Sequence, residues 1–412
     1  MISKIRFLFP RDLSDADIAL LLLLGAAFVV GHYDLTTLTL AVPHVQATFA
    51  VPEDELGQMI AIIRLGAIPA ILLALVADRM GRRRLLMATL IGMSVFTLAT
   101  AFAQTPNQFM LFQSMVRLFG SLEEILAVVY ALETLPARHR GWGVGFLAAM
   151  GGIGTGVGSL LYGVVDYLPG QWRAMYGLGG LAILLVFWLR RNLPESTLFL
   201  EQRAQTRNEP AVSPLAPLIE ILTKHRRPII ALAVIASAFW FQVTAVVNFM
   251  SKYLQEVHSY TTLQVSALFI VSGVLAVVGN IASGTASDRF GRKPLLAGAI
   301  IVNCTAALVF YNASGFWLPV AWTLTLMSFL VVDLITYTLA GELFPTSCRS
   351  TSSTIRSLFS VLGAAAGLAF ESYLYAITGS HAQALSFMTF SSLLALPVVA
   401  WMLRETANTE LH

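Results

Sequence analysis

Long apolar segments constrain the fold of this chain more than any other feature of its sequence. Twelve segments of roughly 20 residues are apolar enough to cross a lipid bilayer as helices. They lie near residues 17–41, 55–77, 85–104, 108–131, 142–165, 171–190, 228–251, 262–286, 295–313, 317–340, 351–376 and 381–403. Charged residues make up only 12% of the chain, about half of the roughly 25% found in soluble domains. The sequence therefore predicts an all-α membrane protein with twelve transmembrane helices.

The two halves of the sequence repeat each other. Residues 78–84 read Asp-Arg-Met-Gly-Arg-Arg-Arg, and residues 288–293 read Asp-Arg-Phe-Gly-Arg-Lys, 210 positions later. Two pairs of glutamates recur at offsets of 209 and 210 residues, Glu133 with Glu342 and Glu195 with Glu405. Spaced matches at one period indicate an internal duplication, so the twelve segments divide into two pseudo-symmetric groups of six.

A polar stretch joins the two groups. Residues 192–227 contain four prolines and many charges, so we predict a cytoplasmic linker there, between six-helix halves at residues 1–191 and 228–412. All but five of the 26 lysines and arginines fall in the linker, in the terminal segments or in loops that the spans place on one side. Because basic residues favour the cytoplasmic side, we predict both termini in the cytoplasm. We expect an integral protein of the plasma membrane, a bacterial inner membrane.

The repeated loops resemble those of the major facilitator superfamily, from about residue 17 to about residue 406. The family loop usually reads Gly-x-x-x-Asp-Arg-x-Gly-Arg-Arg. The second copy keeps the first glycine as Gly284, whereas the first copy has Ala74. Other motifs resemble the branch of sugar porters, organic-ion transporters and metabolite:proton symporters, namely Leu193 to Ser196, Arg404 to Thr406, Glu133 with Arg140, and Glu342 with Arg349. The resemblance implies the major facilitator fold and solute transport by alternating access.

The resemblance also implies that acidic and basic loop residues form a cytoplasmic gating network, which holds the halves together when the cavity opens outward. The residues assigned to it are Asp78, Arg79, Gly81, Arg82, Arg83, Glu133, Arg140, Glu195, Asp288, Arg289, Gly291, Arg292, Glu342, Arg349 and Glu405. Their spacing alone indicates only that they are symmetric and cytoplasmic. The alternative, that these charges merely orient the protein in the membrane, therefore stays open.

Polar groups within the apolar segments are the candidates for the transport pathway. A lone charge at the centre of a bilayer costs roughly 2.5–3.5 kcal/mol on insertion scales, so such residues are usually functional or paired. Arg117, Ser121 and Glu124 share one helix face. Arg64 and Glu371 lie on segments that meet across the halves of this fold, which suggests a gate. The predicted pathway residues are Asp34, Arg64, Arg117, Glu123, Glu124, Gln242, Asn248, Asp333 and Tyr337.

Asp34 resembles the membrane aspartate of proton-coupled sugar porters, and Arg117 resembles its partner arginine. The run from Arg117 to Glu133 is about one helical turn shorter than is usual in the family, and a turn is about 5.4 Å. Glu124 therefore competes with Asp34 as the partner of Arg117. Either Asp34 exchanges a proton and thereby releases the arginine, or the two residues form a static ion pair.

Recognition of a sugar is poorly supported. Gln242 and Asn248 match part of the sugar-porter pattern, but the glutamine of the fifth segment is missing, and Asp333-Leu334 replaces the Gly-Pro of the tenth. We predict a secondary transporter, not an enzyme, that moves a small polar metabolite, either an organic anion or a sugar-like compound, by proton-coupled symport. The alternatives are a proton-driven exporter of drugs or metabolites and a non-transporting solute sensor. Its expected partners are the solute, protons and the bilayer. We expect a monomer with no cofactor, metal or nucleic acid.

Overall fold

The computed structural model describes residues 6–10, 12–74, 82–136, 139–184, 216–345 and 348–406. Helices account for almost all of the regular structure in these ranges, so the all-α prediction is confirmed. In chain order the helices are α1 (Asp15–Leu40), α2 (Val42–Phe49), α3 (Glu53–Leu65), α4 (Ala67–Ala74), α5 (Arg82–Ala101), α6 (Pro106–Thr134), α7 (Arg140–Tyr162), α8 (Trp172–Gly180), α9 (Ala216–Lys224), α10 (Arg226–His258), α11 (Thr262–Phe290), α12 (Arg292–Asn312), α13 (Trp317–Glu342), α14 (Arg349–Thr378), α15 (His381–Thr389) and α16 (Ala395–Met402).

Polar residues at the helix starts explain why several of these helices begin where they do. Ser14 and Asp17 form a reciprocal capping box at α1, in which the Ser14 hydroxyl accepts from the Asp17 amide at 3.1 Å. The Thr105 hydroxyl caps α6 by accepting from the Gln108 amide at 3.2 Å, and Pro106 occupies the first turn, where its missing N–H costs nothing. Thr261 and Gln264 form a second capping box at α11.

Nine helical stretches within the described ranges are long and apolar enough to cross a membrane. Each of the other three predicted segments is absent from these nine for an identifiable reason. The segment near 55–77 is divided between α3 and α4. The segment near 108–131 lies within α6, but it carries three charges, Arg117, Glu123 and Glu124. The segment near 171–190 is described only as far as residue 184.

The contacts divide the chain into two compact units, of which the first comprises residues 1–41 and 66–211. In this unit α1 packs along α7, and α5 packs along α6. Small residues make the first pairing close, because a Cβ built on Gly154 would lie only 2.2 Å from the carbonyl oxygen of Val29. Gly151 and Gly158 face the same helix, next to His32 and Thr36 respectively.

The second unit comprises residues 42–65 and 212–412. Its longest pairing joins α10 and α14, where a Cβ on Gly363 would lie 2.4 Å from the carbonyl oxygen of Ser237. The helix α3 packs on α14 just as closely, because a Cβ on Gly57 would lie 2.4 Å from the carbonyl oxygen of Leu368. The predicted six-helix halves rest on the sequence repeat and stay a prediction.

Candidate functional site

A small polar cavity lies in the first unit between α1, α5 and α6. Its volume is about 30 Å³, which is room for one or two water molecules. Its lining includes four predicted pathway residues together with polar neighbours, namely His32, Asp34, Gln113, Arg117, Glu123 and Glu124. The structure therefore brings together the candidates that the sequence suggested on α1 and α6.

Asp34 is held by a hydrogen bond inside the helix bundle. Its side chain is 4% exposed, and the Thr97 hydroxyl donates to its Oδ1 at 3.0 Å. Thr97 comes from α5, and nothing distinguishes it in the sequence beyond its being a polar residue in an apolar segment. A carboxylate with one donor and a neighbouring cavity can exchange a proton with water without disturbing its surroundings.

Arg117 also lines this cavity, from α6. Within the described part of the chain it makes no direct ion pair with Asp34 or Glu124. Its Nε atom is buried and has no hydrogen-bond partner there. The guanidinium and both carboxylates still interact electrostatically. A change of charge on either acid therefore changes the electrostatic interaction of that acid with the Arg117 guanidinium. The guanidinium is also positioned to bind an anionic group.

Glu123 is the most enclosed acid of this cavity. Its side chain is 1% exposed, and its Oε1 has no hydrogen-bond partner among the described residues. A Cβ built on Gly31 would lie 3.4 Å from its Oε2, so α1 passes directly over the carboxyl group. Glu124, the next residue, is exposed. The two neighbouring glutamates thus meet different surroundings.

Two buried amides mark α10 in the second unit. Gln242 is fully buried, and neither its Nε2 nor its Oε1 has a hydrogen-bond partner in the described ranges. Asn248 donates from Nδ2 to the carbonyl oxygen of Thr244 at 2.8 Å, while its Oδ1 stays without a partner there. Unsatisfied buried amide groups cost free energy, so these side chains are suited to bind a polar solute or water.

Arg356 connects the two predicted residues of α13. It forms an ion pair with Asp333, and its guanidinium carbon lies 3.6 Å from the centre of the Tyr337 ring. It also donates to the Thr336 hydroxyl at 3.0 Å. Arg356 is one of the five basic residues that fall outside the predicted cytoplasmic segments, and no role was predicted for it. Its occurrence as an arginine within an apolar segment is the feature of the sequence that could have identified it as a candidate site residue.

An ion pair and hydrogen bonds connect part of the predicted gating network within the second unit. Arg292 forms an ion pair with Glu342 at 3.0 Å. Glu405 accepts hydrogen bonds from the backbone amides of Arg292 and Lys293, at 2.8 and 3.1 Å. This carboxylate thereby satisfies two amides at the start of α12. Gly291 precedes the helix with a φ of +100°, which disfavours any other residue.

The structure gives fewer contacts for the remaining residues of the predicted gating network. Arg140 donates from Nε to the Leu135 carbonyl oxygen at 3.4 Å, and Arg289 lies over the Phe290 ring. Arg83 and Glu133 lie near the ends of α5 and α6, and Arg349 begins α14. Arg64 lies on α3 in the second unit. Outside the described residues lie Asp78, Arg79, Gly81 and Glu195, together with the side chains of Arg82 and Asp288.

Comparison with known proteins identifies the family. A sequence model described as the Major Facilitator Superfamily matches residues 23–331 and 263–411. The chain belongs to the major facilitator superfamily. As a member of this superfamily it is an integral membrane transporter of small solutes and not an enzyme.

Individual relatives are distant. The chain is 24% identical to the "Probable 4-methylmuconolactone transporter" of Cupriavidus pinatubonensis, over 79% of this chain and 76% of that protein. It is 26% identical to the "Cis,cis-muconate transport protein" of Acinetobacter baylyi, over 79% of this chain and 80% of that protein. Among solved structures, a D-xylose-proton symporter matches with a TM-score of 0.77 and 18% identity, over 96% of this chain and 99% of that one. This likeness confirms the predicted twelve-helix major facilitator fold.

Proposed function

We propose that this superfamily member imports a small organic anion together with protons. The observation that carries the proposal is the cavity of the first unit, where one arginine and three carboxyl groups surround a space of about 30 Å³. Arg117 supplies a cation for a carboxylate. Asp34, which holds one hydrogen bond from Thr97, supplies a group that can accept and release a proton.

The relatives support a carboxylate as the solute. The names of two of them mention cis,cis-muconate and 4-methylmuconolactone. Muconate is a small unsaturated dicarboxylate, and a guanidinium binds a carboxylate through two parallel hydrogen bonds. Arg356 and the buried amides of α10 offer further polar contacts in the second unit. The cytoplasmic ion pair of Arg292 and Glu342 is proposed as part of the gate, with both termini in the cytoplasm of an inner membrane.

Transport in membrane vesicles of known orientation tests this proposal. Right-side-out vesicles with an acidic exterior should accumulate radiolabelled cis,cis-muconate, and an ionophore that collapses the pH gradient should abolish accumulation. Arg117→Gln should weaken uptake of the anion much more than Arg173→Gln, which changes an arginine outside the cavity.

Three results would contradict the proposal. Proton-driven accumulation by inside-out vesicles alone would identify an exporter. Accumulation of the label that does not depend on the pH gradient would show that transport is not coupled to protons. Binding of muconate without any transport would instead favour a solute sensor.

A further inference from the structure

A histidine in the second unit bridges two carboxylates. His381, the first residue of α15, places its Nδ1 2.5 Å from Oε1 of Glu371 on α14. Its Nε2 lies 2.9 Å from Oε2 of Glu53 on α3. Glu371 is completely buried, and the His381 side chain is 13% exposed. Three helices thus meet at one imidazole ring.

The geometry requires one proton more than a neutral imidazole can provide. Ionised carboxylates only accept hydrogen bonds, and a neutral imidazole carries one N–H group. Each of the two nitrogen–oxygen contacts needs a hydrogen between its atoms, because otherwise two lone pairs would face each other. A second proton must therefore reside in this cluster, and imidazolium is the form that serves both carboxylates.

The surroundings favour that extra positive charge. Lys252 is 2% exposed, and its Nζ contacts Oε1 of Gln46 at 2.6 Å, Oε1 of Glu53 at 3.0 Å and Oε1 of Glu256 at 2.6 Å. Two carboxylates, those of Glu53 and Glu256, consequently share one ammonium group. The imidazole also packs against two aromatic rings, whose faces attract a cation. The centres of these rings lie 4.6 Å away for Phe249 and 4.2 Å away for Tyr375.

Ionisable groups approach the imidazole from every helix packed around it. They are Glu53 and Asp54 on α3, Lys252 and Glu256 on α10, Tyr311 on α12, and Glu371 and Tyr375 on α14. The acids outnumber the lysine by four to one in this set. Protonation of the histidine reduces that imbalance.

We propose that Glu53, His381 and Glu371 form a proton-binding site whose proton, held as imidazolium, fastens residues 42–65 to α14. The site goes beyond the proposed function, because it lies in the second unit and involves neither Asp34 nor the solute. With the proton bound, His381 donates to both glutamates. After its loss, one nitrogen faces a carboxylate without a hydrogen, and the contact between α3 and α14 weakens.

The charge state of His381 tests the proposal directly. Solid-state nitrogen NMR of protein labelled with ¹⁵N-histidine, reconstituted in nanodiscs near neutral pH, distinguishes imidazolium from either neutral tautomer. His381→Gln identifies the resonance by removing it, and His258→Gln serves as the control from the same unit. We expect imidazolium at His381. A neutral ring at His381 under these conditions would overturn the proposal.

An isosteric pair of variants tests the origin of the charge. Glu371→Gln removes the buried carboxylate charge and keeps the shape, so the imidazolium resonance of His381 should disappear. Glu220→Gln changes a glutamate that pairs with Lys224 elsewhere in the unit, and it should leave that resonance unchanged. Persistence of imidazolium in Glu371→Gln would contradict the proposed site.

Accessibility of the fastened segment tests the consequence. Met59 on α3 is 5% exposed, so Met59→Cys should react slowly with a membrane-impermeant maleimide in a background that lacks Cys304 and Cys348. Adding His381→Gln should speed labelling at least several-fold, whereas adding His258→Gln should not. Equal labelling rates would show that the proton does not fasten this segment. None of these measurements requires solute or transport, so their failure is distinct from failure of the proposed function.

Discussion

Replacing Gly154 with alanine should separate α1 from α7 and destabilise the protein. A Cβ at this position would lie 2.2 Å from the carbonyl oxygen of Val29 and 2.9 Å from its Cα. An ordinary contact needs about 3.4 Å or more between such atoms, so the two helices must move apart by roughly 1 Å. Overpacking of this kind costs about 1–3 kcal/mol.

Gly152→Ala is the matched control on the same helix. A Cβ there meets nothing within 4 Å, so the substitution should only add helix propensity, which is worth about 1 kcal/mol. Gly154→Ala gains the same propensity, so the difference between the two variants should be the overpacking cost alone, about 1–3 kcal/mol. Thermal unfolding of the purified variants, followed by circular dichroism in one detergent, measures it.

The same substitution has a functional consequence. Asp34 lies on α1, so displacement of this helix should lengthen the bond from Thr97. Proton-driven uptake should then fall in Gly154→Ala and stay normal in Gly152→Ala. If both variants unfold at the same temperature, the close approach of α1 and α7 is wrong, and the reasoning from helix packing fails with it.

Three further predictions concern single charged residues. Asp34→Asn should abolish accumulation driven by a pH gradient but preserve exchange of solute at equal concentrations; loss of both activities would make Asp34 a structural residue. Lys252→Met should destabilise the protein by about 2–4 kcal/mol in thermal unfolding because it leaves partly buried carboxylates unpaired, whereas Lys224→Met, at an exposed pair with Glu220, should cost under about 1 kcal/mol. Burial alone would raise the pKa of Glu53, but hydrogen bonds from His381 and Lys252 outweigh it and lower the pKa from 4.5 to about 2. Its stabilisation should therefore be present above pH 4.5 and decline as the pH falls toward 2, and Glu53→Gln should show no such decline over that range in unfolding experiments.

Much of the fold could be predicted from local properties of the sequence. Segment length and apolar content predict membrane helices without knowledge of their neighbours. The repeat between residues 78–84 and 288–293 indicates two related halves. The packing of α3 on α14 could not be predicted in this way, because it depends on a small residue, Gly57, meeting a backbone carbonyl in a distant segment.

The candidate site was only partly predictable for the same reason. Asp34, Arg117 and Glu123 stand out because each is a charge in an apolar segment, and the structure places all three around one cavity. Thr97, the hydrogen-bond partner of Asp34, carries no charge and therefore has no such signal. The cluster of His381 was missed because Glu53 and Glu371 belong to different segments, and the sequence gives no distance between them.

Glu405 matters for any shortened or fused version of this protein. Its carboxylate holds the first two amides of α12, and Gly291 leaves room for it, since a Cβ there would lie 2.8 Å from Oε2. Thr406 adds a hydrogen bond of 2.5 Å to Glu342. A chain cut before residue 405 would lose these contacts and leave the start of α12 without its acceptor. Purification tags and fluorescent reporters should therefore be attached beyond Thr406, where the carboxylate and the threonine remain in place.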